Sequence, residues 1–109
     1  MTHNIKIKLR TGKTETLHWR EGLFRVPVEY RRTITEVLDW GGYKPTSLRS
    51  AFVGCWWLTS VGDLDVSSVT NMRSMFGCAY HFNQGISHWD VSSVADMRFM
   101  FRDCPLGEV

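Results

Sequence analysis

The sequence has no long hydrophobic run and no strong excess of charge of either sign. Its apolar runs are only a few residues long, far short of the roughly 20 residues that a membrane-spanning helix requires. Thirteen Lys and Arg against eleven Asp and Glu leave a formal net charge of +2, which is too small for charge alone to drive binding to phosphate backbones. The sequence therefore predicts no membrane span, and nucleic acid is not the default partner.

Cysteine is also scarce. Cys55, Cys78 and Cys104 form an odd set with wide spacing, which fits neither a dense disulfide framework nor a paired CxxC zinc site. A reducing compartment is the simpler interpretation. The first eight residues alternate apolar with basic side chains and contain no apolar core of a secretory leader. We therefore expect a cytoplasmic protein.

Large apolar side chains, in contrast, are abundant. The 109 residues include five Trp, six Phe, three Tyr and five Met, and the chain length is that of one ordinary domain. So much bulk must either fill a core or form an adhesive surface.

An internal repeat is the strongest signal in the sequence. Residues 65–76 return as residues 90–101, with nine identities in twelve positions, and residues 48–52 are a fainter copy of residues 72–76. Such self-similarity at a fixed period is typical of repeat architectures. It predicts three coils, over 37–60, 61–85 and 86–109.

The apolar pattern inside one coil suggests two kinds of element. Val69, Met72, Met75 and Phe76 follow helical spacing, so we expect a helix of two or three turns that Ser67 or its neighbour caps. The stretch before it is short and β-prone, and indicates a strand or extended corner. Equivalent residues of successive coils would then stack in columns: Val37, Val61 and Ile86; Trp40, Leu64 and Trp89; Phe52, Phe76 and Phe101.

The residues before the repeat follow β-like alternation instead. Residues 5–9 and 14–19 flank a turn over 10–13 and predict a hairpin. Residues 23–30 predict a third strand, which Pro27 places at an edge because proline lacks the N–H donor of a central strand. Ten of the thirteen Lys and Arg lie in residues 1–49, so this end is basic.

The fold prediction is an α/β repeat. A β-hairpin-rich N-terminal cap, residues 1–34, would precede residues 35–109, a short solenoid of about three strand-plus-short-helix coils. Both parts would form a single structural domain.

The repeat unit over 82–101, FNQGISHWDVSSVADMRFMF, resembles the BspA-like leucine-rich repeat, whose consensus is approximately FNQDISxWDVSSVTNMxxMF. The resemblance covers residues 35–106. It implies a right-handed solenoid and a role in binding rather than catalysis. Members of that family are mostly bacterial surface proteins and lipoproteins, with related repeats in phage genomes, so the resemblance alone would imply the cell surface.

Recurrent polar residues offer few candidates for chemistry. Asp65 with Asp90, and Asn71 with Asp96, could form a calcium ladder, but helix capping and turn formation explain Asp-x-Ser-Ser better. The cysteines could bind metal or pair, or fill a narrow buried column, and His81 and His88 match no standard zinc set. No Ser or Cys stands beside a base and an orienting acid. We therefore predict no enzyme, no cofactor and no metal.

Two features suggest a binding surface. In the adjacent pair Trp56–Trp57, one indole should point away from the core, where it would either bind a partner or lie under the hairpin. The last coil has no polar cap over its apolar stripe, so we expect it to bind another protein or a second copy of the chain. The predicted partner-binding residues are Trp56, Trp57, Tyr80, His81, Arg73, Arg98, Phe99 and Arg102.

The predicted function is therefore a non-catalytic protein–protein interaction module that acts by surface complementarity. One alternative is a small phage-type inhibitor that docks on a bacterial protein complex and blocks it. Another, from a different class, is nucleic-acid binding through the basic N-terminal cap, where aromatic residues alternate with arginines. A solvated strand face would produce the same alternation.

Overall fold

The regular part of the fold is a three-stranded antiparallel sheet in a computed structural model that describes residues 2–20 and 22–102. Strand β1 spans His3–Leu9, β2 spans Thr14–Trp19 and β3 spans Ile34–Asp39. The strand order is β2-β1-β3, so β1 is central. Ile5 and Ile7 alternate with polar residues and are fully buried, because alternate side chains of a strand lie on the same face of the sheet.

The N-terminal hairpin has the predicted form. β1 and β2 pair from His3 opposite Trp19 to Lys8 opposite Thr14. In the turn between them, Gly12 has φ of +88°, and its N–H donates to the Leu9 carbonyl oxygen at 2.9 Å. Glycine adopts this left-handed conformation without steric cost. The sequence prediction of a hairpin is thus confirmed.

The predicted third strand over 23–30 is wrong. The third strand of the sheet is β3, which follows a single turn of 3-10 helix over Val28–Tyr30. The N–H groups of Phe24 and Val26 donate instead to the carbonyl oxygens of Ser47 and Ala51, at 3.1 and 2.8 Å. Residues 23–26 are therefore paired with the first repeat segment rather than with the sheet.

The repeat copies lie side by side in register. We call residues 46–54, 70–78 and 95–102 repeat segments 1, 2 and 3. Isolated parallel bridges join Leu23 to Ser47, Ser47 to Asn71, and Asn71 to Asp96. Alternate N–H groups of each segment donate to carbonyl oxygens of the next, and four bonds of 2.8–2.9 Å join segment 1 to segment 2. Four bonds of the same length range run from segment 2 to segment 3, and the Ala95 N–H of segment 3 donates back to the Thr70 carbonyl oxygen at 2.8 Å.

The helix predicted over the Val69–Phe76 stripe is absent. The N–H groups of Met72, Ser74 and Phe76 donate to the neighbouring segment, whereas those of Met75 and Gly77 close turns on the residue three before them. Beyond its first turn, an α-helix needs every N–H for its own bond to the residue four before it. Ser74 also has φ of +56°, which no right-handed helix contains. A succession of turns therefore replaces the helix.

The fold class predicted from the sequence, an α/β repeat solenoid resembling a leucine-rich repeat, is corrected accordingly. Residues 2–20 and 22–102 contain no α-helix, and none of them forms a helix of the length and apolar character that crossing a bilayer requires. The chain is a small antiparallel sheet whose repeat segments pack as turns and isolated bridges. Its extents of 33 × 32 × 23 Å are those of a compact body. The third predicted coil includes residues 103–109, which lie outside the described part.

One hydrophobic core joins the sheet to the repeat segments. The rings of Phe52 and Phe76 stack at 5.6 Å with an interplanar angle of 9°, and those of Phe76 and Phe101 stack at 5.6 Å and 3°. The predicted column of these three rings is therefore present. On the side of the sheet, Phe24 contacts Trp40 edge-on at 4.9 Å.

Candidate functional site

The adjacent tryptophans lie at the surface where the cap meets the repeat segments. The Arg10 guanidinium carbon is 3.7 Å from the centre of the Trp57 ring. The His81 ring is stacked on the same indole at 4.5 Å with an interplanar angle of 17°. A guanidinium and an imidazole this close cannot share one face of a ring. Trp57 is therefore sandwiched between a cap arginine and a repeat histidine.

Trp56 has a similar but more open environment. Arg32 lies 3.6 Å from the centre of its ring, and Tyr80 meets it edge-on at 5.5 Å. The Nδ1 atom of His81 is 2.5 Å from the Trp56 carbonyl oxygen. The exposed fraction is 37% for Trp56 and 43% for Tyr80. We call this patch the tryptophan surface, and its members are Arg10, Arg32, Trp56, Trp57, Tyr80 and His81.

The structure brings together four of the predicted site residues here and adds two that the sequence analysis missed. Arg10 and Arg32 belong to the predicted cap and are not among the predicted partner-binding residues, although cover by the hairpin was the predicted alternative to partner binding for one of the tryptophans. The repeat period contains a signal for one of them, since Arg32, Trp56 and Tyr80 are spaced by 24 residues. Extending the period backward into the cap would have placed Arg32 next to Trp56. Arg10 carries no such signal, because only the pairing of β1 with β3 positions its turn.

The other four predicted residues lie on or beside repeat segment 3. Phe99 is 51% exposed, and the guanidinium carbons of Arg73 and Arg102 are 5.4 and 5.5 Å from the centre of its ring. Phe99 has φ of +58°, a conformation that is rare for bulky residues. Ser50 and Ser74 occupy the equivalent positions, with φ of +55° and +56°.

Arg98 is held by Asp96 rather than by Phe99. Its Nε and Nη2 atoms donate to the two carboxylate oxygens of Asp96 at 3.2 and 3.0 Å. The Arg98 side chain, through this hydrogen bond, lowers the pKa of Asp96 to about 2, and the backbone N–H of Arg98 acts in the same direction. Asp96 is thus a carboxylate at neutral pH and fixes the direction of the guanidinium.

The recurrent aspartates form turns. Asp65 Oδ1 accepts hydrogen bonds from the N–H and the hydroxyl of Ser67, at 3.0 and 2.6 Å. Asp90 makes the same pair of bonds with Ser92, at 3.1 and 2.6 Å. The serine hydroxyl is the main cause of a lowered pKa at both carboxyls. No group of three metal-ligating side chains occurs within residues 2–20 and 22–102.

The two described cysteines are free thiols. Cys55 is fully buried, and desolvation raises its pKa to about 12, against a smaller opposite effect of Arg31. Such a thiol does not form a thiolate at neutral pH and is a weak nucleophile and a poor metal ligand. Cys78 is half-buried, and the predicted third member of the column, Cys104, lies outside the described residues.

A cleft of about 320 Å³ opens where β3 leads into the first repeat. Its polar lining is mainly acidic, and Lys44 makes a 3.6 Å ion pair with Asp65 at its edge. Gly41 lies on one side of it, and a Cβ at this position would clash with the Asn4 carbonyl oxygen. The lining residues are Leu38, Asp39, Trp40, Gly41, Gly42, Tyr43, Lys44, Asp63 and Asp65.

Comparison with known proteins gives one family and no individual relative. Residues 28–106 match the family model described as Mycoplasma protein of unknown function, DUF285. No curated protein and no solved structure matches the chain. The matching family is not the BspA-like leucine-rich repeat family, so the assignment made from the repeat consensus is corrected.

Proposed function

The chain belongs to the DUF285 family, and from that premise we propose that it is a non-catalytic protein–protein interaction module that binds through its tryptophan surface. The observation that carries the proposal is the pair of tryptophans held under two arginines. Trp, Tyr and Arg are the residues that most often carry binding energy at protein interfaces. All three types meet here within one patch.

The contacts within the patch favour a preorganised surface. Arg32 and Tyr80 restrict the indole of Trp56, and Arg10 and His81 restrict that of Trp57. Side chains that are already ordered lose little further entropy when a partner binds. A partner would therefore gain contact area on aromatic and arginine groups at a low entropic cost.

Nucleic-acid binding through the cap is the competing proposal, since Arg10 and Arg32 are cap residues on aromatic rings. Single-strand binding sites use aromatic faces on which bases stack. The Trp57 ring has both faces covered, by Arg10 and by His81. No face of Trp57 is therefore free for a stacked base, which favours a protein partner at this indole. A small inhibitor that docks on a protein complex and blocks it is a narrower form of the same proposal.

The test is affinity for a partner isolated with the wild-type chain from its native host. Trp56→Ala and Trp57→Ala should each raise the Kd about tenfold or more. Leu23→Ala is a matched control, because Leu23 is an exposed apolar residue of the cap outside the patch. Unchanged affinity in both tryptophan variants, with circular dichroism showing that they fold, would contradict the proposal.

The salt dependence of the same affinity separates the two classes of partner. A protein interface should lose little affinity between 50 and 200 mM salt, whereas several phosphate contacts would cost orders of magnitude, by about 10³ or more for six contacts. A steep slope that Arg10→Ala and Arg32→Ala reduce would favour nucleic acid.

A further inference from the structure

Equivalent apolar residues of the two closely similar copies, residues 65–76 and residues 90–101, differ in exposure. We refer to these as the first copy and the second copy. The exposed fraction is 2% for Val66 and 37% for Val91, and 0% for Met72 and 43% for Met97. Each member of the first copy is covered by the second. No residue within 2–20 and 22–102 covers the outer side of the second copy, which presents an apolar surface equivalent to the covered one.

The backbone of segment 3 presents a row of donors on this side. In segment 2, the N–H groups of Met72, Ser74 and Phe76 donate to the carbonyl oxygens of segment 3 at 2.8–2.9 Å. No acceptor within residues 2–20 and 22–102 lies opposite the equivalent N–H groups of Met97, Phe99 and Phe101. Because the copies are in register, these three groups point to where a next segment would lie. We call this side of residues 95–102 the donor edge.

Within the described part of the chain, the indole N–H of Trp89 also lacks the acceptor that its equivalent in an earlier copy has. Trp40 Nε1 donates to the Val61 carbonyl oxygen at 2.7 Å. Trp89, the equivalent tryptophan of the later copy, is 8% exposed, and its Nε1 atom is buried with no acceptor among the described residues. An unsatisfied buried donor costs about 1–3 kcal/mol. An occupant that supplied an acceptor would recover this free energy.

Donors predominate at this edge, where Ala95 O is the one acceptor in the described chain, since its equivalent Thr70 O accepts from the Ala95 N–H at 2.8 Å. The carbonyl oxygens of Met97 and Phe99 already accept turn bonds from Met100 and Arg102. Two copies of the chain joined by a two-fold axis would place three donors and one acceptor against the same set, so most donors would meet donors. A self-paired dimer through this edge is therefore unfavourable.

Head-to-tail stacking of two chains meets a different obstacle. Its acceptors would have to come from the outer side of residues 23–27. There, Leu23 O accepts from Trp19 Nε1 at 2.9 Å, and Pro27 O accepts from the Tyr30 N–H at 2.9 Å. Two of the three acceptors at these register positions are therefore already used, and only Arg25 O has no donor among the described residues, so a second copy of the chain complements the donor edge poorly.

The charged side chains at the edge specify the chemistry of the occupant further. Arg73 and Arg102 flank the exposed ring of Phe99, and Arg98 lies beside them with Asp96 as its partner. Three arginines against one carboxylate make this group of described residues a site for anionic acceptors. The planar guanidinium group of arginine can donate two parallel hydrogen bonds to one carboxylate, which makes the interaction both strong and specific in geometry.

We infer that the donor edge binds an extended, carboxylate-bearing peptide segment of a partner protein. Main-chain carbonyl oxygens of the segment would accept from Met97, Phe99 and Phe101, in the manner of a strand added to an open edge. Its carboxylates would meet Arg73 and Arg102. The inference rests on the proposed function, because it names a class of protein partner, but it concerns a surface other than the tryptophan surface.

A synthetic peptide tests this directly. The probe is an N-acetylated, C-amidated heptapeptide of alternating Thr and Glu, titrated into the full isotope-labelled chain by NMR. The expected result is a set of saturable shifts at the donor edge and at the Trp89 indole N–H. Signals of the inner equivalents Met72, Ser74, Phe76 and the Trp40 indole should not move.

The same peptide with Gln in place of Glu is the control for charge. It should bind at least about tenfold more weakly, because a neutral amide forms weaker hydrogen bonds with a guanidinium than a carboxylate does. Equal affinity of the two peptides would overturn the carboxylate assignment. No saturable shift at the edge with the acidic peptide would overturn the inference as a whole.

Two variants locate the site, and both should fold. Phe99→Ser places in segment 3 the residue that segments 1 and 2 already carry there, and it should weaken peptide binding several-fold. Arg102→Ala should weaken it about tenfold. The matched control is Arg49→Ala, which removes a positive charge from an inner segment and should leave the affinity unchanged. Equal losses in the Arg49 and Arg102 variants would indicate attraction by net charge only and would contradict the site.

Amide hydrogen exchange of the free chain checks the premise. The N–H groups of Met97, Phe99 and Phe101 should exchange faster than those of Met72, Ser74 and Phe76. Equal protection in the two sets would show that the edge is already covered, and the inference would fail. Because these measurements observe the edge and not Trp56 or Trp57, a failure here leaves the test of the tryptophan surface independent.

Discussion

Residues 65–76 and 90–101 share nine of twelve residues, yet they occupy different environments. Val69 is fully buried, whereas its equivalent Val94 is only half-buried, and Met72 is fully buried where Met97 is 43% exposed. The first copy lies between two neighbours, and the second has one described neighbour. The same side chain is therefore a core residue in one copy and a surface residue in the other. Burial in a repeat protein depends on what lies next to each copy as much as on the copy itself.

The largest expected difference between the two copies is in the free energy of unfolding after truncation of methionine. Met72→Ala should lower it by about 2–4 kcal/mol, because the cavity lies in the core. Met97→Ala should lower it by less than about 1 kcal/mol, since that side chain is largely in water. Urea denaturation followed by tryptophan fluorescence measures both. Equal losses would mean that Met97 is covered in solution.

The two equivalent tryptophans give the next largest difference. Trp40→Phe removes a buried hydrogen bond to Val61, whereas Trp89→Phe removes a donor that has no described acceptor. Trp40→Phe should therefore cost about 1–2 kcal/mol more than Trp89→Phe. Denaturation curves of the two variants give the comparison, and equal costs would show that Trp89 Nε1 is satisfied.

The two copies share a left-handed backbone conformation at equivalent positions, and we expect a glycine substitution to act in the same direction in both. Ser74 and Phe99 have nearly the same positive φ, so both backbones carry the strain of the left-handed region. Ser74→Gly should raise the free energy of unfolding by about 0.5–1 kcal/mol. Phe99→Gly should raise it less, because it also removes the ring that Arg73 and Arg102 flank. A clear loss of stability in Ser74→Gly, by thermal or urea unfolding, would exclude a strained backbone at this position.

The smallest effect is on the dependence of stability on pH. The Asp96 pKa is lowered from 3.8 to about 2, and the equivalent residue Asn71 has no charge. A lowered pKa in the folded state stabilises the fold above the ordinary value, and that contribution is lost as pH falls through about 2. Asp96→Asn should therefore remove a shallow decline in stability between about pH 4 and 2.

An NMR titration of the Asp96 carboxyl checks the same assignment. Arg98→Ala should move its midpoint from about 2 up toward 3.8. A midpoint that does not change in this variant would show that the Arg98 side chain is not the main cause of the lowered pKa.

Part of the candidate site could be predicted because a fixed period aligns side chains between copies. The spacing of 24 residues puts Trp56 beside Tyr80 and Trp57 beside His81, and both contacts are present. Arg10 could not be found in this way, because it reaches Trp57 from a hairpin turn outside the period. The proposed partner-binding role of these residues stays a prediction.

The helix prediction was wrong for a physical reason. Apolar residues at i, i+3, i+6 and i+7 are buried together by an α-helix, but consecutive turns with bonds between residues three apart bury them together as well. Val69, Met72, Met75 and Phe76 are all fully buried without a helix. Hydrophobic spacing records which side chains share a face and does not record where the N–H groups donate.

The sequence by itself determined the hairpin, the period of the repeat and the column of Phe52, Phe76 and Phe101, because alternation and self-similarity depend on residue order alone. Only the tertiary structure decided that the N–H groups donate across copies, that β3 completes the sheet, and that no described segment covers one side of residues 95–102. These features depend on which chain segments are neighbours. A backbone N–H group contributes a hydrogen bond to the fold only when another segment places a carbonyl oxygen opposite it.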